Sequence, residues 1–286
     1  MPAAEPPAAE PHAERFDTIS FLSDYGLRDE FVGVVKAVIR SLAPHVTVLD
    51  ITHEIPPHDV RAGALTLARS IQYLPPGVLL AVVDPGVGSD RRAIAVEVGD
   101  VGDEEPSVLV GPDNGLLASA VALAGGARRA VALTNTEYHL DAPGPTFAGR
   151  DIFAPAAAHL CLGVDLAELG EAVDPYSLLP GIVPLSREEG GKVHGEVLWV
   201  DRFGNAQLNV GPDEVEAMED RVLVRIGDKP ARLALRVASY SELKAGQVGL
   251  VVDSYGLLAI TLYRRSAAEE LGFDAGDAVV LERAGM

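Results

Sequence analysis

The sequence predicts an α/β N-terminal domain with a mainly parallel sheet, followed by a smaller all-β, barrel-like C-terminal domain. From Phe16 onward, strand patterns alternate with helix patterns, which is typical of a layered α/β domain. After about residue 180 the chain changes to short strands with glycine turns and little helix, as in small barrels. We expect domains over residues 16–180 and 190–286, separated by the Pro- and Gly-containing stretch VDPYSLLPGIVPLS.

The elements of the first domain follow from their apolar patterns, in chain order. Apolar runs predict strands at RFDTISFLSD, VTVLDIT, VLLAVVD, RRAIAVEV and SVLVGPDNG. Apolar residues at helical spacing predict helices at DEFVGVVKAVIRSLAP, which stops at Pro44, and at DVRAGALTLARSIQYLPPG, which Pro75 and Pro76 close. Two further helices are predicted at GLLASAVALAGG and RDIFAPAAAHLCLG. Residues 1–15, rich in acids and prolines, are predicted to be a disordered tail.

The composition narrows the class of partner. A formal net charge of −19 and a pI near 4.7 argue against a nucleic acid or an anionic membrane surface, because both require clustered Lys and Arg. No apolar run approaches the roughly 18 residues that a membrane-spanning helix needs. The single cysteine, Cys161, excludes a disulfide within the chain, and its apolar helical surroundings favour a buried structural thiol. We therefore expect a cytoplasmic protein.

Polar side chains collect at the carboxyl ends of the predicted strands. Asp24 follows the first strand, His53 the second, Asp84 the third and Asp113 the fifth. Open α/β sheets bind ligands at that position, although each residue alone is also a common turn former. No Gly-rich phosphate loop follows the first strand, and a carboxylate such as Asp24 can accept from two vicinal hydroxyls, which favours a nucleoside. The alternative is a metallohydrolase site for Mg²⁺ or Zn²⁺ formed by Asp24, His53, Asp84, Asp113 and Asp151.

Six motifs, taken together and in order, resemble those of a known enzyme family. They are FLSDYG, DITHEIPPHDVRAGA, VVDPGVGSDRRAIAV, GPDNGLL, TFAGRDIFAPAAAHL and VDRFGNAQLN. The family is the S-adenosylmethionine (SAM) hydroxide adenosyltransferases, or SAM hydrolases, relatives of the bacterial fluorinase and chlorinase. The resemblance implies attack of water on the ribose C5′ of SAM, giving adenosine and L-methionine without a metal or cofactor. It also implies a homotrimer that binds SAM between the N-terminal domain of one subunit and the C-terminal domain of a neighbour.

The resemblance also implies roles for individual residues. Asp84 and Arg91 match two members of an Asp-Arg-His set that orients and activates water, which is physically reasonable because a sulfonium leaves as a neutral sulfide without a general acid. Asp24 matches the residue that binds the ribose hydroxyls, and His58 lines the methionine side. The remaining implied substrate-binding residues are Phe147 and Gly149 in TFAGRD, Asp201, Phe203 and Asn205 in VDRFGN, and Arg264, Ser266 and Ala267 in the segment expected along the adenine.

The sequence departs from the family pattern at one catalytic position. Ala148 stands where the family has its histidine. Because a positioned base typically contributes about 10²–10⁴-fold, slow hydrolysis by Asp84 and Arg91 alone is one expectation. A second expectation is that another histidine takes over this role, and the candidates are His53, His58 and His139. A third is a protein that binds SAM or adenosine without turnover.

Halide transfer, the reaction of the fluorinase and chlorinase relatives, is a further alternative. The Asp84 carboxylate disfavours it, because like charges repel strongly in a site of low dielectric constant.

Overall fold

The computed structural model describes residues 15–99, 106–182 and 184–285, so the predicted N-terminal tail lies almost entirely outside the described residues. The chain divides into two compact units, the first running to residue 182 and the second beginning at residue 183. In the described residues, no helix combines the length and the apolar character that crossing a membrane requires.

The first unit is built on a seven-stranded sheet in the order β2-β1-β3-β5-β4-β6-β7. Strands β1, β2, β3 and β5 pair in parallel, and β4 pairs antiparallel with both β5 and β6. Five of the seven strands therefore run in one direction, which confirms the mainly parallel sheet. The strands are β1 (Thr18–Ser23), β2 (Thr47–Thr52), β3 (Val78–Val82), β4 (Ala93–Val98), β5 (Ser107–Pro112), β6 (Ala127–Ala132) and β7 (Glu171–Val173).

Helices cover both faces of this sheet, because its central strands are apolar on both sides. In β3, Leu80 and Val82 belong to one apolar cluster, whereas Leu79 and Ala81 belong to the other. Helices α1 (Phe31–Leu42) and α4 (Ala154–Cys161) pack together on the first face. Helices α2 (Val60–Ser70) and α3 (Ala118–Leu123) pack together on the second. The predicted buried thiol is confirmed, since Cys161 is fully buried in the first cluster.

The second unit is a closed barrel of seven strands. The strands follow the order β10-β14-β13-β12-β11-β15-β9, and β10 pairs with both β14 and β9, which closes the barrel. A short helix, α5 (Ala267–Leu271), packs against β14, and β8 extends the sheet beside β9. The strands are β8 (Arg187–Glu189), β9 (Lys192–Val200), β10 (Ala206–Leu208), β11 (Arg221–Ile226), β12 (Arg232–Arg236), β13 (Val248–Val252), β14 (Leu258–Leu262) and β15 (Ala278–Arg283).

Candidate active site

The direction of β4 explains why arginines meet the carboxylates at one edge of the first sheet. Strands β3 and β5 run in parallel and end at that edge, where Asp84 and Asp113 follow them. Strand β4 lies beside β5 and runs the other way, so it begins at the same edge. Arg91 and Arg92 immediately precede β4, and each therefore reaches a carboxylate that follows a neighbouring strand.

The central feature of this edge is a largely buried ion pair between Asp84 and Arg91. Arg91 donates from Nε to Asp84 Oδ1 over 2.8 Å and from a terminal nitrogen to Oδ2. The Asp84 side chain is only 6% exposed and the Arg91 side chain 14%. The Arg91 guanidinium also stacks over the ring of Phe153, 5.2 Å from its centroid. Two parallel hydrogen bonds and the ring contact fix the orientation of the Asp84 carboxylate.

Asp24, at the end of β1, is held by the backbone of another loop. Its Oδ2 accepts a hydrogen bond from the backbone N–H of His58 over 2.8 Å. His58 has a φ of 68°, a left-handed conformation that is uncommon for a residue with a side chain. The His58 side chain is exposed. The contact between these two predicted site residues is therefore made by the His58 main chain.

An aromatic cluster beside Asp24 joins Phe147, an implied site residue, to Tyr25 and Phe31, which the sequence analysis missed. The rings of Tyr25, Phe31 and Phe147 lie 5.0 to 5.7 Å apart. Burial raises the pKa of Tyr25 above its usual range, and the charges of Asp24 and Asp84 add to that shift. The Tyr25 hydroxyl is therefore neutral and can donate a hydrogen bond, and it lies within electrostatic reach of both carboxylates. The signal that was overlooked is the position of this tyrosine, directly after the first strand-end aspartate in SDYG.

Gly149 is required by the position of Tyr25. A Cβ atom on Gly149 would lie 2.1 Å from the Tyr25 hydroxyl oxygen, well inside van der Waals contact. Gly149 opens a single π-helical turn, Gly149–Phe153, that leads directly into α4. This turn places its first residue against Tyr25 and its last residue, Phe153, under Arg91. The motif TFAGRD thus begins a π-helical turn that contacts both Tyr25 and Arg91.

Ala148 is buried and lines a cavity of about 790 Å³. Arg91, His139 and Asp151 line the same cavity. Asp151 pairs with the neighbouring Arg150, whose terminal nitrogen donates to Asp151 Oδ2 over 3.0 Å. The space beside the Ala148 methyl group therefore belongs to a cavity that reaches the Asp84–Arg91 ion pair through Arg91.

The three histidines considered as substitutes for the family histidine have different surroundings. His53 is buried, with Nδ1 2.8 Å from Ser23 Oγ and Nε2 3.1 Å from Asp50 Oδ1, so both ring nitrogens are engaged. His58 presents its ring to solvent. His139 lines the cavity with Arg91 and Ala148, and burial lowers the pKa of its imidazole. Only His139 of these three lines the cavity beside Ala148.

The five residues of the alternative metal site are bound to other partners. Asp113 accepts from Arg92 Nε over 2.8 Å and from the backbone N–H of Leu179 over 2.9 Å, so it attaches the segment after β7 to the sheet. Within the described ranges, no group of three or more His, Cys, Asp or Glu side chains is placed to hold a metal ion. The other four residues are hydrogen-bonded to other groups: Asp84 to Arg91, Asp151 to Arg150, His53 to Ser23 and Asp24 to the His58 backbone.

In the second unit, the predicted residues of VDRFGN form a turn held mainly by its own hydrogen bonds. Asp201 Oδ1 accepts from the backbone N–H groups of Phe203 and Asn205, each over 2.8 Å. Asp201 Oδ2 accepts from Asn205 Nδ2, and Asn205 Oδ1 accepts from the Thr261 hydroxyl over 2.6 Å. The Phe203 side chain is 76% exposed. The two polar side chains therefore shape a rigid loop that presents an aromatic ring to solvent.

The other predicted segment of this unit packs directly against that turn. Ala268 donates its backbone N–H to Gly204 O over 3.0 Å, and a Cβ on Gly204 would lie 2.1 Å from Ser266 Oγ. Ser266 caps α5 by accepting from the backbone N–H of Glu269, and the adjoining Ala267 is fully buried. Arg264 adopts a left-handed φ of 56°. The structure therefore brings the two predicted motifs of the barrel together.

Comparisons with known proteins agree in identifying the family. Residues 19–170 match the model of the SAM hydroxide adenosyltransferase N-terminal domain, and residues 195–280 match that of the C-terminal domain. A protein from Salinispora tropica named (R)-S-adenosyl-L-methionine hydrolase is 46% identical over 91% of this chain and 95% of its own length. A protein of the same name from Thermus thermophilus is 41% identical over 90% of this chain and 96% of its own length.

A solved structure supports the same relationship. The crystal structure of an uncharacterized conserved protein from Thermotoga maritima superposes with a TM-score of 0.82 at 36% sequence identity, covering 93% of this chain and all of that one. Family models, sequence relatives and this structure each span both units. The chain therefore belongs to the SAM hydroxide adenosyltransferase family.

Proposed function

We propose that the chain hydrolyses SAM to adenosine and L-methionine by attack of water on the ribose C5′. The observation that carries the proposal is the buried Asp84–Arg91 ion pair at the carboxyl edge of the sheet. The named relatives, hydrolases of the same compound, support it.

The chemistry explains what such a site has to supply. The sulfur of SAM already carries a positive charge, so it leaves as the neutral thioether of methionine and takes both electrons of the C5′–S bond. No general acid is needed. The protein has to hold one water molecule in line with that bond and exclude its competitors, which is a task of positioning.

Asp84 is suited to positioning the water. Each oxygen accepts one hydrogen bond from Arg91 and retains a lone pair with which it can accept another from water. The low exposure of the pair keeps bulk water from competing. Asp24 is proposed to bind the ribose hydroxyls, and the rings of Tyr25 and Phe147 to form a wall of the site.

We propose that the barrel residues complete the site in a homotrimer. In this arrangement the loop of Asp201, Phe203 and Asn205, together with the Arg264–Ala267 segment, contributes to SAM binding at a neighbouring subunit. The support is the rigid packing of both segments against each other and the exposure of Phe203. The proposal requires one subunit to supply the carboxylates and another to supply the loop.

A product assay tests the reaction. Purified protein is incubated with SAM, with and without chloride and EDTA, and the products are separated by chromatography. Hydrolysis predicts adenosine and methionine in equal amounts, insensitive to EDTA and chloride. Formation of 5′-chloro-5′-deoxyadenosine would instead support halide transfer, and loss of product with EDTA would support a metallohydrolase. Binding of SAM without any product would support a non-catalytic binder, one of the alternatives left open by Ala148 at the position of the family histidine.

A further inference from the structure

The segment that carries Asp24 is held on both sides by His53, the residue that follows β2. One residue before Asp24, the Ser23 hydroxyl oxygen lies 2.8 Å from His53 Nδ1. Two residues after Asp24, the backbone N–H of Gly26 donates to the His53 carbonyl over 2.7 Å. Asp24 therefore lies between two hydrogen bonds to a single residue at the end of the neighbouring strand.

The imidazole of His53 is itself fixed on the side away from Ser23. Its Nε2 lies 3.1 Å from Asp50 Oδ1, and Lys36 donates to Asp50 Oδ2 over 2.6 Å. The ring packs edge to face against Phe21, with the two ring centroids 4.6 Å apart, and the His53 side chain is only 2% exposed. These contacts hold the ring in one orientation, with Nδ1 directed at Ser23.

The direction of each hydrogen bond in this chain of groups follows from the charge of Asp50. Burial raises the pKa of Asp50, but hydrogen bonds from Lys36 and His53 outweigh that effect and hold the pKa below its usual value. A carboxylate only accepts, so His53 donates from Nε2, and the neutral form of the ring accepts at Nδ1 from the Ser23 hydroxyl. The Ser23 oxygen in turn accepts from the Tyr25 backbone N–H over 3.4 Å. Donors and acceptors are therefore matched from Asp50 to Tyr25.

We propose that His53 is a positioning residue that sets the Asp24 carboxylate, through Ser23, for binding of the ribose hydroxyl groups. This inference rests on the proposed role of Asp24 in nucleoside binding. His53 fixes the main chain on either side of Asp24, and the His58 backbone N–H fixes the carboxylate itself over 2.8 Å. A carboxylate that is already ordered pays little entropy when two vicinal hydroxyls bind to it, so the affinity for a ribose is higher.

Two substitutions of His53 separate the contact toward Asp24 from the contact toward the surface. The amide of His53→Asn lies near the position of Nδ1 and can keep the Ser23 contact, whereas His53→Gln reaches the position of Nε2 and can keep the Asp50 contact. Each variant loses one hydrogen bond of the ring, so urea unfolding should show similar destabilisation. Only His53→Gln should weaken the binding of adenosine, by about tenfold, as expected for the loss of about one hydrogen bond.

The analogue 2′,3′-dideoxyadenosine shows whether the effect runs through Asp24. It lacks the hydroxyl groups that Asp24 is proposed to bind, so its affinity should be the same in the unsubstituted protein and in His53→Gln. In isothermal titration calorimetry, the preference for adenosine over this analogue should fall about tenfold in His53→Gln and persist in His53→Asn. Ser23→Ala removes the fully buried hydroxyl that transmits the effect and should reproduce His53→Gln.

His45→Gln is the matched control, because His45 precedes β2 at the opposite edge of the sheet and its Nε2 bonds to the Phe16 carbonyl. It should bind both ligands as the unsubstituted protein does. A preference for adenosine that is unchanged in His53→Gln and Ser23→Ala would overturn the inference, as would an equal loss of affinity for the two ligands. If the unsubstituted protein shows this preference but forms no adenosine from SAM, the proposed hydrolysis fails and the inference stands, so the two failures are distinguishable.

Discussion

The strand-end edge of the first unit and the Asp201 loop of the barrel use the same residue types in different ways. At the edge, the carboxylates are held by groups from other segments of the chain, as when the backbone of His58 contacts Asp24. In the loop, Asp201 is bound by backbone groups two and four residues further on. The first arrangement fixes the orientation of the carboxylates, which suits the proposed ligand site, whereas the second fixes the loop itself. Substitutions in the two regions should therefore fail in different ways.

The largest effect is expected for Asp84→Asn. It removes the charge that is proposed to orient the water and should lower kcat by about 10²–10⁴-fold. It also leaves Arg91 buried without its partner, which should cost about 3 kcal/mol of unfolding free energy. Asp113→Asn is the matched control, because Asp113 is similarly buried and paired with Arg92 but attaches a peripheral segment. Urea unfolding should show both variants destabilised, and steady-state kinetics should show a lowered kcat only for Asp84→Asn. Equal kcat values in the two variants would contradict this division.

Asp201→Ala should weaken binding and leave chemistry intact. The change removes the acceptor for two backbone N–H groups and for the Asn205 side chain, so the loop loses its fixed shape. We expect KM to rise about tenfold, equivalent to about 1.4 kcal/mol, with kcat unchanged.

The same variant sharpens the comparison between the two regions. Co-expressed with Asp84→Asn, it should form mixed assemblies in which an intact edge of one subunit meets an intact loop of another, and these sites should show the low KM of the unsubstituted protein. Mixed assemblies in which every active site keeps the raised KM would contradict the proposed site shared between subunits.

Gly149→Ala tests the contact that the sequence did not reveal. The new methyl group would overlap the Tyr25 hydroxyl, so the ring has to move, at a cost of about 1–3 kcal/mol. Tyr25→Phe in the same chain removes the overlapping oxygen and should recover part of that loss. A double-mutant cycle in urea measures the coupling, and strictly additive effects would show that the two residues are not in contact.

The smallest effect is expected far from the edge, at Glu97 in β4. Hydrogen bonding from Arg129 holds the pKa of Glu97 below its usual value, so its stabilising contribution is complete above the unfolded-state pKa and is lost as the pH falls. Glu97→Gln should cost about 1 kcal/mol at pH 7, because Arg129 is itself 45% exposed. The difference from the unsubstituted protein should shrink in unfolding experiments below about pH 4. A difference that is constant with pH would contradict this ion pair.

Local patterns predicted the strand ends and their polar residues, because periodicity and chain direction determine which side chains meet at one edge. The pairing of Asp84 with Arg91 was implied by the family resemblance, and the structure joins the two side chains across the loop between β3 and β4. Strand β6 was missed because Arg128 and Arg129 interrupt its apolar run; Arg129 in fact reaches Glu97 and Asp165. The Tyr25–Gly149 packing and the contact of His53 with Ser23 depend on segments distant in sequence, which periodicity does not encode.

The source of the new oxygen in the product tests the central claim most directly. The protein is supplied with SAM in water enriched in ¹⁸O, and the adenosine formed is analysed by mass spectrometry. Attack of water on C5′ predicts one ¹⁸O atom in the 5′-hydroxyl group of adenosine and none in methionine. Adenosine without the label, or label found in methionine, would contradict the account.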